Sequence, residues 1–172
     1  MKFNMVSKSI IYVALMFLFI MSFDAIARTM VIPEEQEILV RFDSNMKITS
    51  KTVQAGVPLL VYLAEDIQIG GVTVVEAGAQ GRAEVVEVKP AKSGGKPGYI
   101  KVEFKELSPK GNFNTSDGSK IQLKGVVENT GKPKKFIPYF IFVIFVNGGQ
   151  GIISTDVLYK TQIKETVVME SP

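Results

Sequence analysis

The clearest pattern along the chain is the alternation in residues 99–107, YIKVEFKEL. Ile100, Val102 and Phe104 fall on one side, and Lys101, Glu103 and Lys105 on the other. A period of two with one apolar and one charged face predicts a half-buried antiparallel strand. Shorter runs of the same kind lie at 38–42, 59–63, 72–75, 80–88, 121–127, 152–159 and 162–168. In 80–88, Ala83, Val85 (or Val86) and Val88 are available for one face. Turn formers punctuate these runs: Asp43-Ser44-Asn45, Gly70-Gly71, the 92–98 stretch KSGGKPG and the 112–119 stretch NFNTSDGS. No window of helical length in 28–172 carries a convincing stripe of period 3.6. The pattern predicts an all-β chain, folded as a small antiparallel barrel or sandwich.

One echo runs through it. Val53-Gln54-Ala55-Gly56-Val57 leads into one strand, and Val75-Glu76-Ala77-Gly78-Ala79 leads into another. Both read as an apolar strand end, a turn that needs glycine, and a new strand. Ile153-Ser154-Thr155-Asp156-Val157 is a candidate third copy, with Asp156 where glycine stood, since Asp tolerates the left-handed conformation better than most residues. Turn chemistry alone accounts for two such copies as readily as duplication does.

Two segments break the alternation. The first is the N-terminus, where Lys2 and Lys8 precede the apolar run 10–23 (IIYVALMFLFIMSF) and Ala25-Ile26-Ala27 follows. A basic start, a short apolar core and small residues at a cleavage box are the parts of a secretory signal. The run is short of the roughly 20 residues a membrane span needs, and Asp24 counts against an uncleaved anchor. The expectation is a signal helix over 1–27 cleaved after Ala27, a loose lead over 28–37 around Pro33, Glu34 and Glu35, and one β domain over 38–172. That length can bury a sizeable core, since chains of about 150 residues bury roughly 70% of their unfolded surface.

The second is 136–146, FIPYFIFVIFV, uncharged throughout and rich in aromatic rings. Lys132, Lys134 and Lys135 precede it and Asn147-Gly148-Gly149 follow. One reading is a central strand buried on both faces, with Pro138 near its start, where a missing amide donor is tolerated. The other is an exposed apolar segment that enters a membrane surface or a partner's groove, with Phe136, Ile137, Tyr139, Phe140, Phe142 and Phe145 as docking residues. Large exposed apolar patches mark such contacts, and lysines beside one favour anionic lipid. A strand apolar on both faces needs cover on both sides, which a domain of this size supplies with difficulty.

Composition narrows the chemistry. The 172-residue chain has no Cys, no His and no Trp. Disulfides, thiol nucleophiles, imidazole bases and zinc sites with nitrogen or sulfur ligands are therefore closed to it. The formal net charge is +3, and loss of Lys2, Lys8 and Asp24 with the leader lowers it by one. This gives no reason to expect nucleic acid as a partner. An exported chain without cysteine fits the periplasm or envelope of a Gram-negative bacterium better than a disulfide-rich secretory route.

The acids Glu65, Asp66, Glu84, Glu87, Glu103, Glu106 and Asp117 are spread over many elements, and alternation turns most of them to solvent. A glycosidase-like pair is not expected. Asn112, Asn114, Ser116, Asp117 and Asp43 are oxygen donors of the kind calcium takes, but the 112–117 stretch lacks the ligand series of an EF-hand loop, and a hairpin turn explains it equally. No imidazole can activate any of the serines, and neither a nucleophile elbow nor an S-x-x-K box occurs in 28–172. Gly94-Gly95-Lys96 lacks the spacing of a phosphate loop. No catalytic residue, cofactor or metal is expected, and the chain is read as non-enzymatic.

As a block, residues 53–125 resemble a known theme: QAGVPLLVYLAEDI, VTVVEAGAQGRAEV, GYIKVEFKELSPKG and DGSKIQLKG are similar to a strand, a glycine turn, an alternating strand and a glycine-closed hairpin. The same arrangement is found in uncharacterised exported bacterial β domains. More distantly, it resembles the periplasmic β-barrel of TrbI-like conjugation and type IV secretion scaffolds. The resemblance implies a periplasmic barrel acting by protein–protein contact, in which 136–146 occupies the place of an apolar insertion that meets the outer membrane. The long cytoplasmic and proline-rich parts of those scaffolds are absent here. The expectation is a cell-envelope protein that docks onto an envelope protein or a membrane surface. The alternative is a soluble carbohydrate- or peptide-binding β module, with Tyr62, Tyr99, Tyr139 and Tyr159 lining a groove.

Overall fold

Alternation along the chain becomes a set of antiparallel strands, of which six close on themselves. A computed structural model describes residues 28–133 and 148–171. The strands are β1 (Thr29–Ile32), β2 (Glu37–Phe42), β3 (Ile48–Thr49), β4 (Pro58–Leu63), β5 (Ile67–Ile69), β6 (Val72–Val75), β7 (Gln80–Lys89), β8 (Tyr99–Leu107), β9 (Asn114–Thr115), β10 (Ile121–Thr130), β11 (Ile152–Ile153), β12 (Tyr159–Ile163) and β13 (Val167–Glu170). The closed barrel runs β10-β12-β2-β4-β7-β8, and every pairing in it is antiparallel. Closure removes the open edges that would otherwise invite pairing with other chains. The all-β reading holds, and between barrel and sandwich the fold is a barrel. The expected signal helix over 1–27 lies outside the described residues.

The barrel interior is filled by the apolar faces read from the sequence. Val40 and Phe42 come from β2, Leu59, Val61 and Leu63 from β4, Ala83 and Val85 from β7, and Ile100, Val102 and Phe104 from β8. Phe42 stacks on Phe104 with ring centroids 5.7 Å apart, and Tyr159 meets Phe42 edge-on at 5.3 Å. Between β7 and β8 simple alternation fails at two places, both bulges. The register of β7 against β8 shifts between Val85 and Glu87 and between Arg82 and Ala83. An extra residue turns the following side chains over. Val86 is therefore left outside while Val85 points in, and Leu107 rather than Glu106 ends β8 on the core side.

The echo at 53–57 and 75–79 is realised as two equivalent turns. Val57 N–H donates to the Gln54 carbonyl and Ala79 N–H to that of Glu76, with Gly56 at φ 84° and Gly78 at φ 78°. A positive φ at the third position of such a turn calls for glycine. The ladders that follow repeat as well. Gly56 N–H donates to Val85 O, which Gly78 N–H to Leu63 O reproduces one repeat later. Val85 N–H to Val57 O is likewise matched by Leu63 N–H to Ala79 O. β4 and β7 are thus paired about a local two-fold relation.

The third copy is not formed. Glu35 is the one non-glycine residue at positive φ among those described, so Asp156 does not take the left-handed conformation. Ser154 satisfies this stretch instead, its Oγ accepting from Asp156 N–H and its carbonyl from the Tyr159 hydroxyl. The run 152–159 is accordingly split into β11 and the start of β12. The run 162–168 is broken by the polar Lys164-Glu165-Thr166.

The lead 28–37 also differs from expectation. Thr29–Ile32 is a strand paired along its length with β13, and Ile32 is fully buried. Its apolar Met30 and Ile32 share a face, and Pro33 ends it. β13 pairs in turn with β9, giving a three-stranded sheet against the barrel.

Candidate functional site

The two ends of the barrel are built differently. Lys89 lies opposite Tyr99, and Tyr99 opposite Thr130, so β7, β8 and β10 share one end there; Gly81, Leu107 and Ile121 mark the other. At the first end three loops are stitched together: 43–57, 90–98, and the two flanks 131–133 and 148–151. The Ser50 hydroxyl donates to Gln150 Oε1 at 2.7 Å, and Ala91 N–H donates to the same oxygen. Gly151 N–H donates back to Ser50 Oγ, and Ser50 N–H donates to Gly151 O at 2.9 Å. Gly131 N–H donates to Gly98 O, and Gly98 N–H to Gly149 O. Gly149 N–H donates to the Lys132 carbonyl at 3.0 Å, so the chain leaves and returns side by side. Glycine is needed for this approach: a Cβ on Gly131 would overlap the Gly149 carbonyl, and one on Gly148 that of Lys96.

The predicted docking residues Phe136, Ile137, Tyr139, Phe140, Phe142 and Phe145 lie outside the described residues. Their flanks do not, and the clasp of Ser50, Gln150 and the glycines holds those flanks. Sequence reasoning missed Ser50 and Gln150. Their pairing spans about a hundred residues, so the only local trace was the glycine-rich GGQG at 148–151.

Two clefts are formed among the described residues. One, of about 350 Å³, is lined by Arg41, Asp43, Ser44, Tyr62, Thr155 and Leu158 among others. The second, of about 340 Å³, includes Arg82, Glu106 and Lys120. There Glu106 accepts from Lys120 Nζ at 2.7 Å and meets Arg82 Nε at 3.2 Å. The Lys120 hydrogen bond, aided by the charges of Lys120 and Arg82, holds the Glu106 carboxyl below its usual range against a smaller opposing effect of burial.

The tyrosines proposed to share a groove are dispersed. Tyr62 lies opposite Gln80 at the start of β7, and Tyr99 lies opposite Lys89 at its end. Tyr99 donates to Glu128 Oε2 at 2.8 Å, and this bond pushes its phenol up to about 12. Tyr159 packs on the core rings, and Tyr139 lies outside the described residues.

Asp66 and Asp117 hold turns: Asp66 accepts from Ala77 N–H at 2.7 Å and Asp117 from Ser119 N–H at 2.9 Å. Among the described residues, no three acidic side chains gather where they could hold a metal ion. Against known proteins, the chain matches no family model, no curated protein and no solved structure.

Proposed function

We propose that this chain is a non-enzymatic protein of the bacterial cell envelope. In this reading the barrel is a rigid base that presents segment 136–146 to an envelope protein or a membrane surface, in a role within an envelope or secretion assembly. The observation that carries the reading is that the barrel closes, with a filled interior, using described strands alone. The apolar sequence of 136–146 is read as surplus to the barrel, whose strands all lie outside it, and its described flanks meet through the Gly149 N–H to Lys132 carbonyl bond. Surplus apolar surface in a soluble domain marks a contact. Export to the periplasm is read from the leader-like sequence of 1–27.

The alternative, a soluble carbohydrate- or peptide-binding module, draws support from the cleft beside Arg41 and Tyr62. The dispersal of the tyrosines weighs against it.

Fractionation of the tagged protein, beside a variant carrying Phe140→Ser, Phe142→Ser and Phe145→Ser, tests the docking reading. The variant should melt as the parent does and move from the membrane-associated to the soluble fraction. A folded variant that stays in place, or a variant that unfolds, overturns the reading. The second outcome would assign the segment to the core.

A further inference from the structure

A nearly balanced net charge conceals a sorting of charge by barrel end. The loops at the end where β7 begins carry Glu34, Glu35, Glu65, Asp66, Glu76 and Glu165. Four lysines in that half are engaged, Lys110 with Glu76, Lys120 with Glu106, Lys124 with Glu35 and Lys160 with Glu37, and Lys164 stands exposed beside Glu165 without an ion pair among the described residues.

The opposite end reverses this. Lys47 and Lys51 stand on the loop after β2, Lys92 and Lys96 on the loop after β7, and Lys132 on the stretch after β10. All five are exposed, and none takes part in an ion pair among the described residues. The acids near them are few. Glu87 is paired with Lys89, whereas Asp43 accepts only from Asn45 N–H and Nδ2 and Glu128 only from the Tyr99 hydroxyl, neutral donors that cancel no charge; with Asp156, three acids stand against the five lysines.

These lysines sit on the stitched loops themselves. Gly148 N–H donates to the Lys92 carbonyl, Gly149 N–H to that of Lys132, and the Thr52 hydroxyl to that of Lys47. The array is therefore a rim with an excess of positive charge, carried on backbone that these bonds hold in place. The cations on its loops are all lysine, with a single arginine, Arg41, beside them near the end of β2. Recognition of a fixed carboxylate or phosphate pattern favours the planar, two-pronged guanidinium of arginine. Lysine is a mobile point charge on a flexible stem, suited to a fluid layer of headgroups.

We propose that this end of the barrel docks onto an anionic phospholipid surface, with the acidic end directed away from it. The inference rests on the docking reading above and specifies its partner.

Cosedimentation of the purified exported protein with phosphatidylcholine vesicles, and with vesicles of equal parts phosphatidylcholine and phosphatidylglycerol, tests it. The protein should bind the anionic vesicles preferentially, and less so as salt rises. The quadruple variant K47Q/K51Q/K92Q/K96Q should bind them at least about tenfold more weakly, given the contribution of each lysine near such a surface. A control with the same loss of charge at the other end, K110Q/K120Q/K124Q/K160Q, should bind as the parent does. Equal binding to neutral vesicles, or equal weakening by the two variants, overturns the proposal. If the protein ignores both vesicles yet fractionates with membranes in cells, the lipid partner is refuted while docking through 136–146 stands. Retention of the triple serine variant in the membrane fraction sinks the docking reading itself.

Discussion

Thr161 is 2% exposed on β12, and its hydroxyl oxygen finds no hydrogen-bond partner among the described residues. A buried, unpaired hydroxyl costs about 1–3 kcal/mol relative to an apolar group of the same shape. Thr161→Val should therefore stabilise the protein by about 1 kcal/mol, seen as a rise of a few degrees in the thermal midpoint. A fall would mean that the hydroxyl has a partner. Glu106 offers the opposite case. Its side chain is 17% exposed and bridges Arg82 and Lys120, so Glu106→Gln should cost about 1 kcal/mol at neutral pH. The sign with pH follows from its depressed titration. The stabilisation is present above the ordinary value of 4.5 and is lost as pH falls through the lower folded value. Urea midpoints of parent and variant should thus converge in acid. A difference that persists there would place the effect in packing rather than charge.

At the scale of elements, the paired turns before β4 and β7 invite parallel substitution. A Cβ on Gly56 meets nothing within 4 Å, so Gly56→Ala should cost only the left-handed strain of an L residue, about 1–2 kcal/mol. Gly78→Ala meets only Lys110 Nζ at 3.5 Å and should cost about the same, by denaturant unfolding. A large disparity between the two would break the equivalence of the turns. On β8, Phe104 is 1% exposed and packs on Phe42 and Tyr159. Phe104→Ala should cost about 3–5 kcal/mol, through lost burial and a cavity the closed barrel cannot collapse.

For the molecule as a whole, the segment proposed to dock lies outside the strands that close the barrel. Lys132 and Gly149 already touch through a hydrogen bond, so replacing 134–147 by a short Gly-Ser linker closes the same gap with a shorter loop. Loop-closure entropy changes slowly with length. The shortened protein should therefore melt within a few degrees of the parent while losing its membrane-associated fraction. Collapse of the melting transition would show that the segment belongs to the fold.

Most strands were legible in the sequence, because period two is a local property: 99–107 alternates whatever surrounds it, and Gly56 and Gly78 mark turns by their own backbone freedom. The same locality explains the misses. Thr29–Ile32 becomes a strand because β13, more than a hundred residues away, supplies its partner. The side chains of Val86 and Leu107 were assigned by bulges that depend on the neighbouring strand. Sequence by itself determined the all-β character and the lack of imidazole and thiol chemistry, since both follow from residue types and their spacing. Tertiary structure alone decided that six strands close without 136–146, that Ser50 clasps Gln150, and that unpaired lysines gather at one end. Each of these depends on which distant segments come to lie side by side.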